Sequence, residues 1–565
     1  MPARDNLRLL LASTLSLAML GGCASAPEAA APAPASLQVD VPDIARPDGE
    51  TAAWWFRDGA AQAAARGAMA GNARNVILFV GDGMSLATVA AARIRDGQLK
   101  GQPGEENRLS WEHFPATALS KTYNTDQQTP DSAGTMSAMA TGVKTRAGVI
   151  SIGQSAAFGD CRASLTAPMT TLWELAAASG MATGVVSTAR ATHATPAATF
   201  SHVPNRNWES DGAMPAAALA AGCVDIARQM VESPFGTGPD VLMGGGRTNF
   251  IPTGQADPEY PDIKSRRKDG RDLVAEWKRR HPDGVYVWNA EQFAAAPAGV
   301  PLLGLFEPGH MQYEHDRPGD RAGEPSLAEM TRAAIERLSG DPDGYVLLVE
   351  AGRIDHAHHD GNAFRALGDT IALSEAVEVA RRMTSVDDTL VIVTADHAHT
   401  MTFAGYPVRG NPILGKVREA NAEGVAEAST DALGLPFTTL GYANGPGYTG
   451  ASASQPAGPK SFPHRADGYE PAIGRPDLAQ VDTGAPDYLQ EATVPGGSES
   501  HGGDDVGIWA RGPGSAAVRG SVEQNAIFHF MLQATPTLRE AACAAGGCNG
   551  AGVPVELPRR EDFGG

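Results

Sequence analysis

Basic charge, cysteine, aromatic side chains and long apolar runs are all scarce in this chain of 565 residues. It carries 45 Lys and Arg against 65 Asp and Glu, a net charge of −20, and the basic residues form no cluster. That excludes the positive footprint of a nucleic-acid-binding protein. An anionic substrate would be accepted only where metals or local arginines reverse the sign. Five cysteines without a CxxC pair argue against thiolate zinc ligation. Beyond the first residues no stretch is long and apolar enough for a membrane helix, and no internal repeat is evident. What remains is a globular composition, 42% hydrophobic and rich in Ala, Gly and Pro. Its length suits a large α/β enzyme with insertions.

The N-terminus reads as an export signal. Arg4 and Arg8 precede the apolar run Leu9–Leu20, which is too short to span a bilayer. Leu20-Gly21-Gly22-Cys23 is similar to the cleavage box of bacterial lipoproteins and would make Cys23 the lipidated first residue. The alternative is an ordinary secretory signal with a chance cysteine. Residues 1–22 are expected to be signal peptide and 23–50 an Ala/Pro-rich tether. An exported chain favours disulfides among the other four cysteines. Cys543 and Cys548 are close enough to close a small loop, leaving Cys161 to pair with Cys223. The pattern of Thr51–Met69 predicts an amphipathic helix that packs on a neighbour rather than in the core.

Chemistry gathers where apolar runs end on acids. Tyr345–Val349 reads as a buried strand that stops on Glu350, and Asp355 and His359 follow, four apart and so on one helical face. Asn75–Val80 leads to Asp82, and Thr389–Thr394 leads to Asp396-His397. Imidazoles and carboxylates converging at strand ends suit a divalent metal such as zinc, and ligands gather along that edge of a parallel sheet. Acids and histidines also flank strands simply because loops are polar; the recurrence argues for a site. Pro130-Asp131 reads as a turn into a helix of small residues. Ser132 at its N-terminus is well placed for a nucleophile that collects a phosphate, although Asp131 or Ser132 as a plain cap is the commoner case.

VGDGM, DSAGTMSAMATGVKT, VEAGRIDHAHH and TADHAH, in that order, resemble the alkaline phosphatase family, more its animal type than the enteric bacterial type. HATPA, NRNW, GLFEPG and SHGGDDV extend the likeness over about residues 75–513. The resemblance implies two zinc ions and one magnesium per subunit. Asp355, His359 and His501 would hold the first zinc and Asp396 and His397 the second, with Asp82 bridging the second zinc and magnesium. Glu350 and Thr195 would bind magnesium, with His193 holding its water or the ion itself. Ser132 would be the nucleophile, Arg206 the bidentate phosphate clamp, and His356 a phosphate contact. Cys161 and Cys223 match the family's long-range disulfide. Glu259, Phe306 through its carbonyl, Glu307 and Glu324 fall at the animal enzymes' peripheral calcium, Glu324 standing where an aspartate is usual.

The expected fold is a three-layer α/β sandwich with a largely parallel central sheet. The catalytic domain is expected over 71–402 and 501–535, with a Gly/Pro-rich crown insertion at 403–500 and a tail at 536–565 holding the small disulfide loop. The helix at 51–70 would embrace the partner of a homodimer. The implied activity is hydrolysis of phosphate monoesters through a phosphoserine, outside the cytoplasm and for phosphate acquisition, at the periplasm or cell surface of a lipid-anchored protein. A sulfatase would need a C/S-x-P-x-R setting, which Ser132-Ala133-Gly134-Thr135 lacks. A phosphodiesterase is disfavoured by the Arg206 motif. A lipoprotein that binds metal or phosphate without turnover is the rival of another class.

Overall fold

The structure of the protein is a computed structural model that describes residues 37–44 and 49–564. The expected signal peptide, Cys23 and most of the tether lie outside the described residues.

The frame is a ten-stranded sheet built from β1 (Asn75–Gly81), β2 (Ala116–Lys121), β3 (Ala182–Arg190), β4 (Val241–Gly245), β5 (Val285–Val287), β6 (Leu302–Leu305), β7 (Tyr345–Ala351), β8 (Thr389–Ala395), β9 (Val506–Arg511) and β10 (Gly520–Glu523). Their order is β10-β2-β9-β8-β1-β7-β3-β4-β6-β5. Only β9 runs against its neighbours; β1, β7, β8 and β3 are mutually parallel at the centre. Continuous apolar runs such as Val76–Val80 are what such strands require, because both faces are covered. Alternation then sorts the side chains. Val76, Leu78 and Val80 enter one core with Met136 and Phe528, while Ile77 and Phe79 enter the opposite core with Val349 and Leu373. The three-layer, largely parallel architecture expected from the sequence is what is found.

Register places the acids. Gly81 of β1 lies opposite both Ala351 of β7 and Ala395 of β8. Asp82 and Asp396 therefore leave the sheet at one level, and Glu350, opposite Val80 and Ser187, sits one residue below. Two helices begin beside this edge: α2 (Ser132–Thr141), whose N-cap Asp131 accepts from the Gly134 amide, and α3 (Arg353–His359), which carries Asp355 and His359. Both disulfides are formed, Cys161–Cys223 and Cys543–Cys548. Residues 403–500 hold only short strands, among them Leu440–Gly445 in a three-stranded sheet. Among the described residues no helix is long and apolar enough to cross a membrane.

The N-terminal helix departs from expectation. This helix, α1, spans Ala52–Ala65, capped by Thr51, with a separate short turn at Ala68–Ala70. Rather than standing clear of the core, it buries Trp55 and Phe56 in its own chain. Phe56 packs edge-on against Phe528 and His529 of the helix Ala526–Ala534, and Gln533 Nε2 donates to Ala60 O at 3.0 Å. The hydrophobic pattern reveals a buried face but not which surface covers it. Truncating Phe56, which is wholly buried, to Ala should cost about 3–5 kcal/mol; thermal or denaturant unfolding of F56A checks this.

Candidate metal centre and active site

Four carboxylates, four imidazoles and a serine converge at the strand edge, most of them buried. Asp82, Glu350 and Asp396 are fully buried, and Asp355 and Ser132 almost so. Burial pushes the Asp82 carboxyl well above its ordinary range, and repulsion from Asp396, Asp355 and Glu350 adds to the rise. Asp396 is raised for the same reasons, and burial lifts Glu350 to about 7 although Ser187 donates to it. Such a nest of acids requires compensating positive charge.

One group of ligand atoms is Asp355, His359 and His501. His359 Nε2 and His501 Nε2 each lie 3.4 Å from Asp355 Oδ1 and 3.1 Å from each other. A second group is Asp82, Asp396 and His397: His397 Nε2 is 3.4 Å from Asp82 Oδ1 and 3.2 Å from Asp396 Oδ2. The outer ring nitrogens fix the tautomers. His359 Nδ1 meets Glu499 O at 2.6 Å, His501 Nδ1 meets Pro130 O at 2.7 Å, and His397 Nδ1 meets Ala398 O at 3.2 Å. Facing carbonyls, all three carry hydrogen on Nδ1, which leaves each Nε2 lone pair turned inward as a ligand. Burial holds His359 and His397 below the usual imidazole range, so both stay neutral.

A third group is Asp82, His193 and Glu350. Asp82 Oδ2, Glu350 Oε1, Thr195 Oγ1 and His193 Nδ1 are all buried without a hydrogen-bond partner. Asp82, His193 and Glu350 bring ligand atoms within 4.8 Å of one another, and orphaned atoms rich in oxygen fit a hard cation such as magnesium. The two imidazole-carboxylate groups fit zinc.

Ser132 opens α2 beside the second group. Its Oγ donates to Asp82 Oδ1 at 3.3 Å and lies 3.1 Å from His397 Nε2. Arg206 donates from Nη1 to Asp131 Oδ2 at 2.9 Å, and its Nη2 lies 3.1 Å from His193 Nε2. The helix N-terminus and one guanidinium thus flank the serine, supplying local positive charge in an acidic chain.

The family comparisons agree with this geometry. A family model described as alkaline phosphatase matches residues 73–537. The tissue-nonspecific isozyme of Gallus gallus is 43% identical over 472 residues, covering 82% of this chain and 84% of the relative. The chain belongs to the alkaline phosphatase family. The alkaline phosphatase of Gadus morhua is 42% identical over 82% of this chain and 91% of its own length. Among solved structures, Thermus thermophilus alkaline phosphatase superimposes with a TM-score of 0.57 at 26% identity, covering 83% of this chain and 92% of that one. The enzyme from the Antarctic bacterium TAB5, TM-score 0.53 at 21% identity over 82% of this chain and 98% of its own, shares the fold. This alkaline phosphatase is a phosphate-monoester hydrolase with metal-binding side-chain clusters.

Other candidates sit further out. His356 reaches the edge of the site, its ring 5.4 Å from His193 and 4.0 Å from His310, with Arg353 Nη1 3.1 Å from its Nδ1. Glu259, Glu307 and Glu324 form a separate buried acidic cluster. Three residues at these sites had no role in the sequence reading. His310 ends GLFEPGH, and nothing local marks it as a neighbour of His356. His399 lies in TADHAHT; its Nε2 meets Asp355 Oδ1 at 2.8 Å and its Nδ1 meets Glu499 Oε2, so it has no free lone pair for a metal. Burial opposes its protonation, but the two carboxylates win and raise it to about 10. Asp320 joins the acidic cluster, its two carboxylate oxygens buried and unpartnered.

Glu350 couples its protonation to stability. Its folded-state value, about 7 against 4.5 for the free group, means that stability present below pH 4.5 is lost as pH rises through 7. Glu350→Gln should therefore raise the melting temperature of chelator-treated protein at pH 8, yet weaken magnesium binding by about tenfold or more. Calorimetry with and without magnesium checks both.

Proposed function

We propose that the protein hydrolyses phosphate monoesters through a phosphoserine on Ser132, with two zinc ions and one magnesium per subunit. The observation that carries this reading is the position of Ser132 Oγ, 3.3 Å from Asp82 Oδ1 and 3.1 Å from His397 Nε2 at the start of a helix. Asp355, His359 and His501 would hold one zinc, and Asp82, Asp396 and His397 the other. Asp82, Glu350, Thr195 and His193 would surround magnesium. Bound there, the ions supply Lewis-acid stabilisation of the attacking and departing oxygens. The chain's own residues do the rest. Asp82 accepts the Ser132 hydroxyl hydrogen, aiming the oxygen lone pair at phosphorus for in-line attack. Arg206, anchored by Asp131, offers its guanidinium edge to the equatorial oxygens, and the α2 amides add positive potential. His356, kept neutral by burial and by His310 and Arg353, stands at the rim as a phosphate contact.

The wider setting completes the proposal. Residues 71–402 and 501–535 make the catalytic domain, 403–500 the crown and 536–565 the tail. The protein is exported, anchored through Cys23 as an outer-membrane or periplasm-facing lipoprotein, and releases phosphate for uptake. It works as a homodimer in which the outer face of the 51–70 helix meets the partner. Glu259, the Phe306 carbonyl, Glu307 and Glu324 hold calcium, and Asp320 adds a further carboxylate. Burial raises Glu307 to about 8 and Glu324 to about 9, and the neighbouring acids contribute. A divalent cation would relieve that repulsion.

Ser132→Ala should abolish trapping of labelled phosphate on the protein and lower turnover by roughly a thousandfold or more, with zinc content unchanged; retained turnover would remove Ser132 as nucleophile. For the acidic cluster, calcium should raise the melting temperature more at pH 9 than at pH 6, because the acids' protonated-state stability is lost as pH rises through about 8–9. Glu324→Gln should weaken calcium or terbium binding by about tenfold, read by terbium luminescence.

A further inference from the structure

We infer that Glu499 is the positioning residue of the first zinc site, holding three ligands from two parts of the chain and tying them to the crown. The inference rests on the reading of Asp355, His359 and His501 as zinc ligands. Glu499 is 1% exposed and stands two residues before His501.

Its contacts divide among the three ligands. The Glu499 carbonyl accepts from His359 Nδ1 at 2.6 Å, and its amide donates to His359 O at 2.9 Å. One carboxylate oxygen faces His399 Nδ1, and His399 Nε2 in turn reaches Asp355 Oδ1 at 2.8 Å. The other carboxylate oxygen accepts from the Thr400 amide at 2.7 Å and from the Thr400 hydroxyl. His501 is fixed through the chain itself: the short strand His501–Gly502 pairs antiparallel with Ala398–His399, setting His501 opposite His399. One residue therefore orients His359 by its backbone, Asp355 through His399, and His501 by continuity. An outer group that fixes the direction of a ligand lone pair governs metal retention as well as geometry.

Glu499 is also held by the rest of the crown. A side-chain carbon at Gly445, which ends the crown strand Leu440–Gly445 with φ +119°, would lie 2.7 Å from Glu499 Cβ, so only glycine lets the two segments meet. Asn444 and Ser500 are locked together by two hydrogen bonds of 2.9 Å, Asn444 Nδ2 to Ser500 Oγ and Ser500 N to Asn444 Oδ1. From the same crown strand, Tyr442 Oη lies 2.7 Å from Nδ1 of His358, whose ring stacks on His399. The crown thus closes on the outer shell of this one zinc site, and Glu499 makes no hydrogen bond to Asp82, Asp396, His397, Glu350, Thr195 or His193.

The test uses fully metallated full-length protein and an excess of a chromophoric zinc chelator. Glu499→Gln keeps the backbone contacts to His359 but replaces a two-acceptor carboxylate with an amide, so one of its donors loses its partner. Zinc should leave E499Q in two phases: one ion per subunit about 10–100-fold faster than in the wild type, the other at the wild-type rate. Gly445→Ala, acting from the crown side, should give the same selective loss and covers the case in which E499Q does not fold. Both zinc ions leaving both variants at the wild-type rate, or both accelerated alike as in general loosening, would overturn the role of Glu499. Wild-type protein that takes up no zinc would instead overturn the ligand reading beneath it.

Discussion

Mutual repulsion among buried carboxylates is the constraint on which the rest of this structure turns. Parallel register delivers Asp82 and Asp396 to one level and Glu350 one residue lower, with no solvent to spread their charge. Uncompensated, such a cluster holds protons and destabilises the fold as pH rises. Bound cations would resolve the conflict, and the surroundings suit them: imidazoles held in one tautomer by backbone carbonyls, and buried carboxylate oxygens without a hydrogen-bond partner. The strength of the sheet makes this possible. Its strands are covered by apolar cores on both faces, so the strand ends cannot retreat from one another.

Around that core, the positive groups are few and specifically placed. In a chain with a net charge of −20, the positive groups beside Ser132 are the α2 N-terminus and Arg206, which Asp131 holds in place. Local sign, rather than overall charge, decides what the site accepts. Residues 403–500 work at a different level. They carry little regular structure of their own, yet the chain returns to the sheet edge at Glu499 and His501, beside His359 and His399.

Much of this was legible in the sequence, for a physical reason. Central parallel strands must be nearly all apolar, so Asn75–Val80, Tyr345–Val349 and Thr389–Thr394 announce themselves, and acids at their ends stand out. The helical spacing of Asp355 and His359 is likewise visible. The outer shell was not. His399 is one histidine among several in TADHAHT, and its dependence on Glu499 joins residues a hundred positions apart through loop sequence without periodicity. Asp320 lies in a turn where an acid is unremarkable. The N-terminal helix shows an apolar face, but the cover for Phe56 comes from Phe528 and His529, far along the chain. Pattern gives the face; only the fold gives its partner.

The measurement that tests the account most directly is release of a chromogenic alcohol from a phosphate monoester by the purified protein at mildly alkaline pH. It is run before and after chelation, with zinc and magnesium added back, beside a matching diester. The account predicts monoester turnover that chelation removes and the two metals restore, with little action on the diester. Turnover indifferent to chelation, or a preference for the diester, would contradict it.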